Sequence, residues 1–187
     1  AGWYVYGRVV AGNDTSNPTA GGTITVNSAG TNSYGLQLDT SILLAHSAIS
    51  ITATNTSTHH VFRHEGATGS IKSNGNITIQ AGNLTGNTGI WGLVLDTGAS
   101  IQSTAGNIAI TARGSSGGFY VSSSATSIVA GNHLTAPTAG GNITLNTTGV
   151  SGYGTQMVSG SLVANGSISF TSTGGLEGAY IYGSGLF

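Results

Sequence analysis

The chain of 187 residues contains no cysteine, which excludes a disulfide framework and thiolate metal sites while leaving the compartment open. Charge is almost as scarce. Four Lys plus Arg and five Asp plus Glu make up 5% of the residues, with a formal net charge of −1, against roughly 25% charged in an ordinary globular domain. So few cations cannot neutralise several phosphates, and nucleic acid is excluded as a partner. Proline occurs only twice. No apolar run approaches the ~18 residues of a membrane span. No charged-then-apolar leader precedes the first residues, so the sequence is expected to be mature protein or a piece of something longer.

Against these absences stand 32 glycines and a hydrophobic fraction of 38%. A disordered chain would carry more charge and fewer apolar residues. Solubility must instead come from Ser, Thr, Asn and backbone amides, and the length suits one domain with a continuous core.

Internal repetition organises everything else. Two apolar residues flanking one small residue recur six times, as Ile24/Val26, Ile49/Ile51, Ile77/Ile79, Ile108/Ile110, Ile143/Leu145 and Ile168/Phe170. Between them lie Thr25, Ser50, Thr78, Ala109, Thr144 and Ser169. Such period-two alternation predicts strands with one buried and one solvated face. A second motif, Ser followed by a branched aliphatic residue, appears as Ser41-Ile42, Ser70-Ile71, Ser100-Ile101, Ser127-Ile128 and Ser161-Leu162. A third strand alternates between two types. One is Tyr34-Gly35, Trp91-Gly92 and Tyr153-Gly154; the other is Trp3-Tyr4-Val5, Phe119-Tyr120-Val121 and Ala179-Tyr180-Ile181. The alternation implies a two-coil super-repeat. Val10-Ala11-Gly12-Asn13 returns as Val129-Ala130-Gly131-Asn132 at an offset of 119, and Pro18 to Gly22 returns as Pro137 to Gly141 at the same offset.

Helical solenoids fail because no segment has the 3.6-residue period, and a propeller needs four strands per blade. Variable spacings of 25, 28, 31, 35 and 25 residues between the six motifs disfavour a left-handed hexapeptide helix. The expectation is an all-β chain, a single right-handed parallel β-helix over 1–187 with about six to seven coils of three short strands. Ile should then stack on Ile, and Asn76, Asn107 and Asn142 should form an Asn ladder.

Gly75-Asn76-Ile77-Thr78-Ile79, Gly106-Asn107-Ile108-Ala109-Ile110 and Gly141-Asn142-Ile143-Thr144-Leu145 resemble the repeat region of filamentous-haemagglutinin-type exoproteins, the secreted adhesins of bacterial two-partner secretion and related autotransporters. The Asn-Pro-Asn motifs of that family's secretion domain are absent. The resemblance therefore implies shaft rather than export signal: a secreted, cell-surface, non-catalytic stalk or filament element that serves adhesion or biofilm formation and needs no cofactor.

Candidate site residues are few. The segment from His59 to Lys72 concentrates His59, His60, Arg63, His64, Glu65 and Lys72 where aligned coils are apolar or aromatic, and broken repeat consistency is a mark of function. These six are the predicted binding residues, with surface glycans as the implied ligand and no metal. Asp39, Glu65 and Asp96 align as a carboxylate column. That column keeps a β-helical polysaccharide lyase or hydrolase as the alternative, followed by an ice-binding protein. Seven Asn-x-Ser/Thr sequons occur, at Asn13, Asn55, Asn76, Asn83, Asn142, Asn146 and Asn165. The two ends of the sequence carry the same strand type, Gly2 to Gly7 and Gly178 to Gly183. Each end is therefore expected to stack on adjacent repeats or on another copy.

Overall fold

A computed structural model describes residues 2–14, 18–82, 90–133 and 135–182. Among these there is no helix, and so none long and apolar enough to cross a membrane. Every strand pairing is parallel, within an 11-stranded and a 6-stranded sheet. This is the pairing of a parallel β-solenoid, in which strands of one turn pair only with the turns above and below.

The 6-stranded sheet contains Ile24–Gly30, Ile49–Asn55, Ile77–Ala81, Ile108–Gly114, Ile143–Gly149 and Ile168–Gly174. The register stacks Ile24, Ile49, Ile77, Ile108, Ile143 and Ile168 in one inward row and Val26, Ile51, Ile79, Ile110, Leu145 and Phe170 in the next. The intervening Ser, Thr and Ala residues point outward. Each fully buried aliphatic side chain contributes roughly 1.5–3 kcal/mol, so the period-two pattern fixes which face is inside. A one-residue slip would turn the whole row to solvent.

Just before these strands the asparagines do form a ladder. Asn76 Oδ1 accepts from the Asn107 backbone N–H at 2.8 Å, Asn107 Oδ1 from Asn142 N–H at 2.8 Å, and Asn142 Oδ1 from Ser167 N–H at 2.7 Å. Backbone donors that would otherwise be exposed at the turns are thereby paired along the stack.

The larger sheet holds two columns of strands meeting at a corner. Trp3–Ala11 and Leu36–Ala45 run through that corner unbroken, whereas Phe62–Glu65 and Ser70–Ser73 are separate strands on either side of it. Three short strands per coil therefore does not hold for the first two long strands. Backbones in the left-handed region turn the corner: Thr40 and Thr97 both at φ 53°, Gly66 at 100° and Gly160 at 97°. A non-glycine residue there is strained. At both threonines the preceding acid offsets that strain, because Asp39 Oδ1 accepts from Thr40 Oγ1 at 2.8 Å and Asp96 Oδ1 from Thr97 N–H at 2.7 Å.

The corner also corrects the alignment of the Ser-Ile motif. Ile42, not Ser41, pairs with Ser70, and Leu43 stacks on Ile71. The corner after Asp39 is one residue shorter than the one after Asp96, which moves Ser41 to a fully buried position where its hydroxyl donates to the carbonyls of Val5 and Asp39. The 119-residue offset, by contrast, is mirrored in the loops. Asn13 Oδ1 accepts from the N–H groups of Thr19 and Ala20, as Asn132 Oδ1 does from Thr138 and Ala139.

Candidate functional site

On the outer side of the column that begins with Trp3–Ala11, the register aligns Tyr4, Gln37, Arg63, Val94, Tyr120, Gln156 and Tyr180 in one row. Along the next outward row Tyr6 pairs with Asp39 and Asp39 with Glu65. Asp96 follows directly, its N–H donating to the His64 carbonyl at 3.0 Å. Alternate turns carry an aromatic residue one step earlier, at Tyr34, Trp91 and Tyr153. Each reaches the first row of the following turn: Trp91 packs on Tyr120 with centroids 5.0 Å apart and Tyr153 on Tyr180 at 5.5 Å.

Arg63 occupies the position that tyrosine takes at residues 4, 120 and 180. Its Nη1 donates to the Tyr34 hydroxyl at 3.4 Å, and its Nη2 lies 2.7 Å from Glu65 Oε2 and 3.5 Å from Asp96 Oδ2. Gln37 Nε2 donates to Glu65 Oε1 at 2.7 Å, Tyr4 donates its hydroxyl to Asp39 Oδ2 at 2.8 Å, and the Ser122 hydroxyl donates to Asp96. Tyr4 and Asp39 thus link the first two turns, and a second set running from Gln37 through Glu65, Arg63 and Asp96 to Ser122 links the second turn to the fifth across the outer face.

The electrostatics follow from these partners. The Tyr4 hydrogen bond, then that of Thr40, holds the Asp39 carboxyl below its ordinary value. The Ser122 hydroxyl does the same for Asp96, aided by the Thr97 N–H and by Arg63. Burial by itself would weaken the Arg63 cation, yet Tyr34, Glu65 and Asp96 together hold its pKa above the usual arginine value. The Asp39 hydrogen bond raises the Tyr4 phenol in turn.

The six predicted binding residues do not form one patch. His59 and His60 lie in a turn rather than a strand, and both rings border Tyr34, with centroids at 5.3 Å and 5.9 Å. Burial, followed by the neighbouring Arg63, lowers the His60 pKa. Arg63 and Glu65 point outward into the network. His64, next to them in sequence, points inward and is fully buried, with Nε2 3.3 Å from the Ser100 carbonyl. Burial pushes its pKa down to about 4, opposed by the carbonyls of Ser100 and Leu38. Lys72 lies around the corner on the next column, in register with Leu44 and Gln102. The carboxylates Asp39, Glu65 and Asp96 do come together. No group of three or more His, Cys, Asp or Glu side chains is arranged to hold a metal ion among the described residues.

Tyr4, Tyr34, Gln37 and Ser122 complete the cluster but carry no formal charge to single them out in the sequence. Asn55 is a further member. It aligns with Gly30 in the neighbouring strand, and its buried amide donates to the carbonyls of His59 at 2.9 Å and His60 at 3.1 Å. Asn55 therefore shapes the histidine turn, and its side chain is enclosed rather than presented as a glycan acceptor. An Asn at the offset where four of the six motifs carry glycine (Gly30, Gly114, Gly149 and Gly174) was the available signal. Asn83 lies outside the described residues.

No protein-family model matches this chain, and neither a curated protein nor a solved structure is significantly similar to it.

Proposed function

We propose that the chain is shaft and adhesive element of a secreted, surface-exposed bacterial protein, a right-handed parallel β-helix of about six to seven coils with no catalytic role. The observation that carries this reading is the like-on-like stacking of the inward rows, Ile on Ile through the whole 6-stranded sheet. That arrangement extends by adding turns and is rigid along its axis, because each turn is stable only between its neighbours. Right-handedness is the general preference of parallel crossovers. The inward rows also continue to both ends of the described stack, where Trp3, Val9 and Ile181 are exposed. Further parallel strands, from adjacent repeats or from a second copy, would cover them.

Sedimentation and electron microscopy of the purified chain test the proposal. Concentration-dependent growth into thin rods is the expected result, together with adhesion of beads coated with the chain to cells. Monomers that persist at high concentration would overturn the end-to-end stacking. Release of products from a polysaccharide, lost on Asp96→Asn, would replace the adhesive reading with an enzymatic one.

A further inference from the structure

All seven tyrosines of the chain, at positions 4, 6, 34, 120, 153, 180 and 182, belong to the outer side of one column of strands. Trp91 joins them, as do three of the five acidic residues and the amides of Gln37 and Gln156. The outer row of the 6-stranded sheet has no ring; it reads Thr25, Ser50, Thr78, Ala109, Thr144 and Ser169. Packing does not demand this asymmetry, because both surfaces cover equally regular apolar rows. Several of the rings are open to solvent: Tyr4 is 58% exposed, Tyr6 74% and Tyr182 67%.

We propose that this face is a binding strip for a neutral linear glycan lying along the stack. The inference rests on the adhesive reading above and names its ligand. A pyranose presents an apolar C–H face and a rim of hydroxyls. Tyrosine and tryptophan rings match the first, and paired donors and acceptors such as Gln37, Arg63, Glu65 and Asp96 match the second. Turns are spaced ~4.8 Å apart, close to the length of one pyranose, so each successive sugar meets the next turn. At the centre Val94 is covered, being 4% exposed, and lies in register between Arg63 and Tyr120, with Trp91 packed on the latter, so the rings and polar groups around it form the surface of the strip.

Charge selects the class of glycan. Asp39, Glu65 and Asp96 outnumber Arg63, and that guanidinium is already engaged by two of them. A sulfated or uronic chain would meet net repulsion along the strip. The charge balance therefore favours an uncharged polymer.

Native affinity electrophoresis of the whole chain tests this, with a galactomannan, a mixed-linkage β-glucan or a mannan in the gel and heparin as the anionic comparison. At least one neutral polysaccharide should retard the protein, and heparin should not. Tyr120→Gln installs the residue type that the same row holds at Gln37 and Gln156, so the fold has precedent for it; it should weaken retardation at least tenfold with an unchanged melting temperature. Tyr4→Ala, at an exposed ring, should weaken it less. Absence of retardation by all three neutral polymers, retardation by heparin alone, or equal retardation of Tyr120→Gln and the parent chain would each overturn the proposal. So would loss of self-association in Tyr120→Gln without any glycan effect, which would assign the strip to a second copy of the chain. Rod formation would remain intact if only the glycan assignment failed, so the two readings fail separately.

Discussion

Arg63 meets Tyr34 as Tyr120 meets Trp91: in each pair a residue of one outward row packs against the aromatic residue of the preceding turn, by a 3.4 Å hydrogen bond in the first and a 5.0 Å ring contact in the second. Arg63 and Tyr120 flank Val94 from opposite sides in the register. The charged turn is therefore a substitution within an aromatic ladder, with Glu65 and Asp96 recruited to neutralise the cation that replaced a ring.

That relationship predicts that Arg63→Tyr combined with Glu65→Ser, which copies the Tyr120/Ser122 pattern, folds with a melting temperature within a few degrees of the parent. Arg63→Ala should cost more, about 1–2 kcal/mol, because it strands Glu65 and Asp96 beside one another and removes the packing over Tyr34. Thermal unfolding of the three proteins checks this. A double variant less stable than Arg63→Ala would mean the ion pairs matter more than the ring position.

His64 makes stability depend on pH. Its folded-state pKa of about 4 lies below the ordinary 6.5, so the unfolded chain binds a proton that the fold refuses. The associated stability is fully present above the unfolded value and is lost as pH falls toward the folded one. Between pH 7 and pH 4.5 the loss should be about 2–3 kcal/mol. Urea titrations at the two pH values measure it, and His64→Leu should remove most of the difference.

Ile108→Asp should be severely destabilising, by about 4 kcal/mol or more, because it places an unpaired charge in a fully buried row. Thr144→Asp, on the outward face of the neighbouring strand, should cost less than about 1 kcal/mol. Melting temperatures of the two variants separate the faces, at ~2–4 °C per kcal/mol for a chain of this size. Comparable losses would contradict the alternation.

Asn107→Ala removes the acceptor for the Asn142 N–H and should cost about 1–2 kcal/mol. Asn107→Asp keeps an acceptor oxygen at that site and should recover most of the loss. Hydrogen exchange at Asn142 gives a local readout, with faster exchange expected in the alanine variant only.

Period-two alternation and recurrence at fixed offsets determined the parallel all-β architecture, the inward rows and the Asn ladder, because a strand's face is set by residue parity alone and stacked turns repeat the same environment. The alignment of Asp39, Glu65 and Asp96 was legible for the same reason. What tertiary structure decided lies at the corners and turns, where parity resets. The corner after Asp39 is one residue shorter than the one after Asp96, and that difference moved Ser41 inside. Four residues adjacent in sequence, from Phe62 to Glu65, divide between core and surface, which sends His64 away from Arg63. Lys72 lies past the corner and so on another face. Tyr34 and Gln37, about 28 residues away from the charged segment, join it only because parallel stacking brings one turn against the next, a proximity that no local pattern encodes.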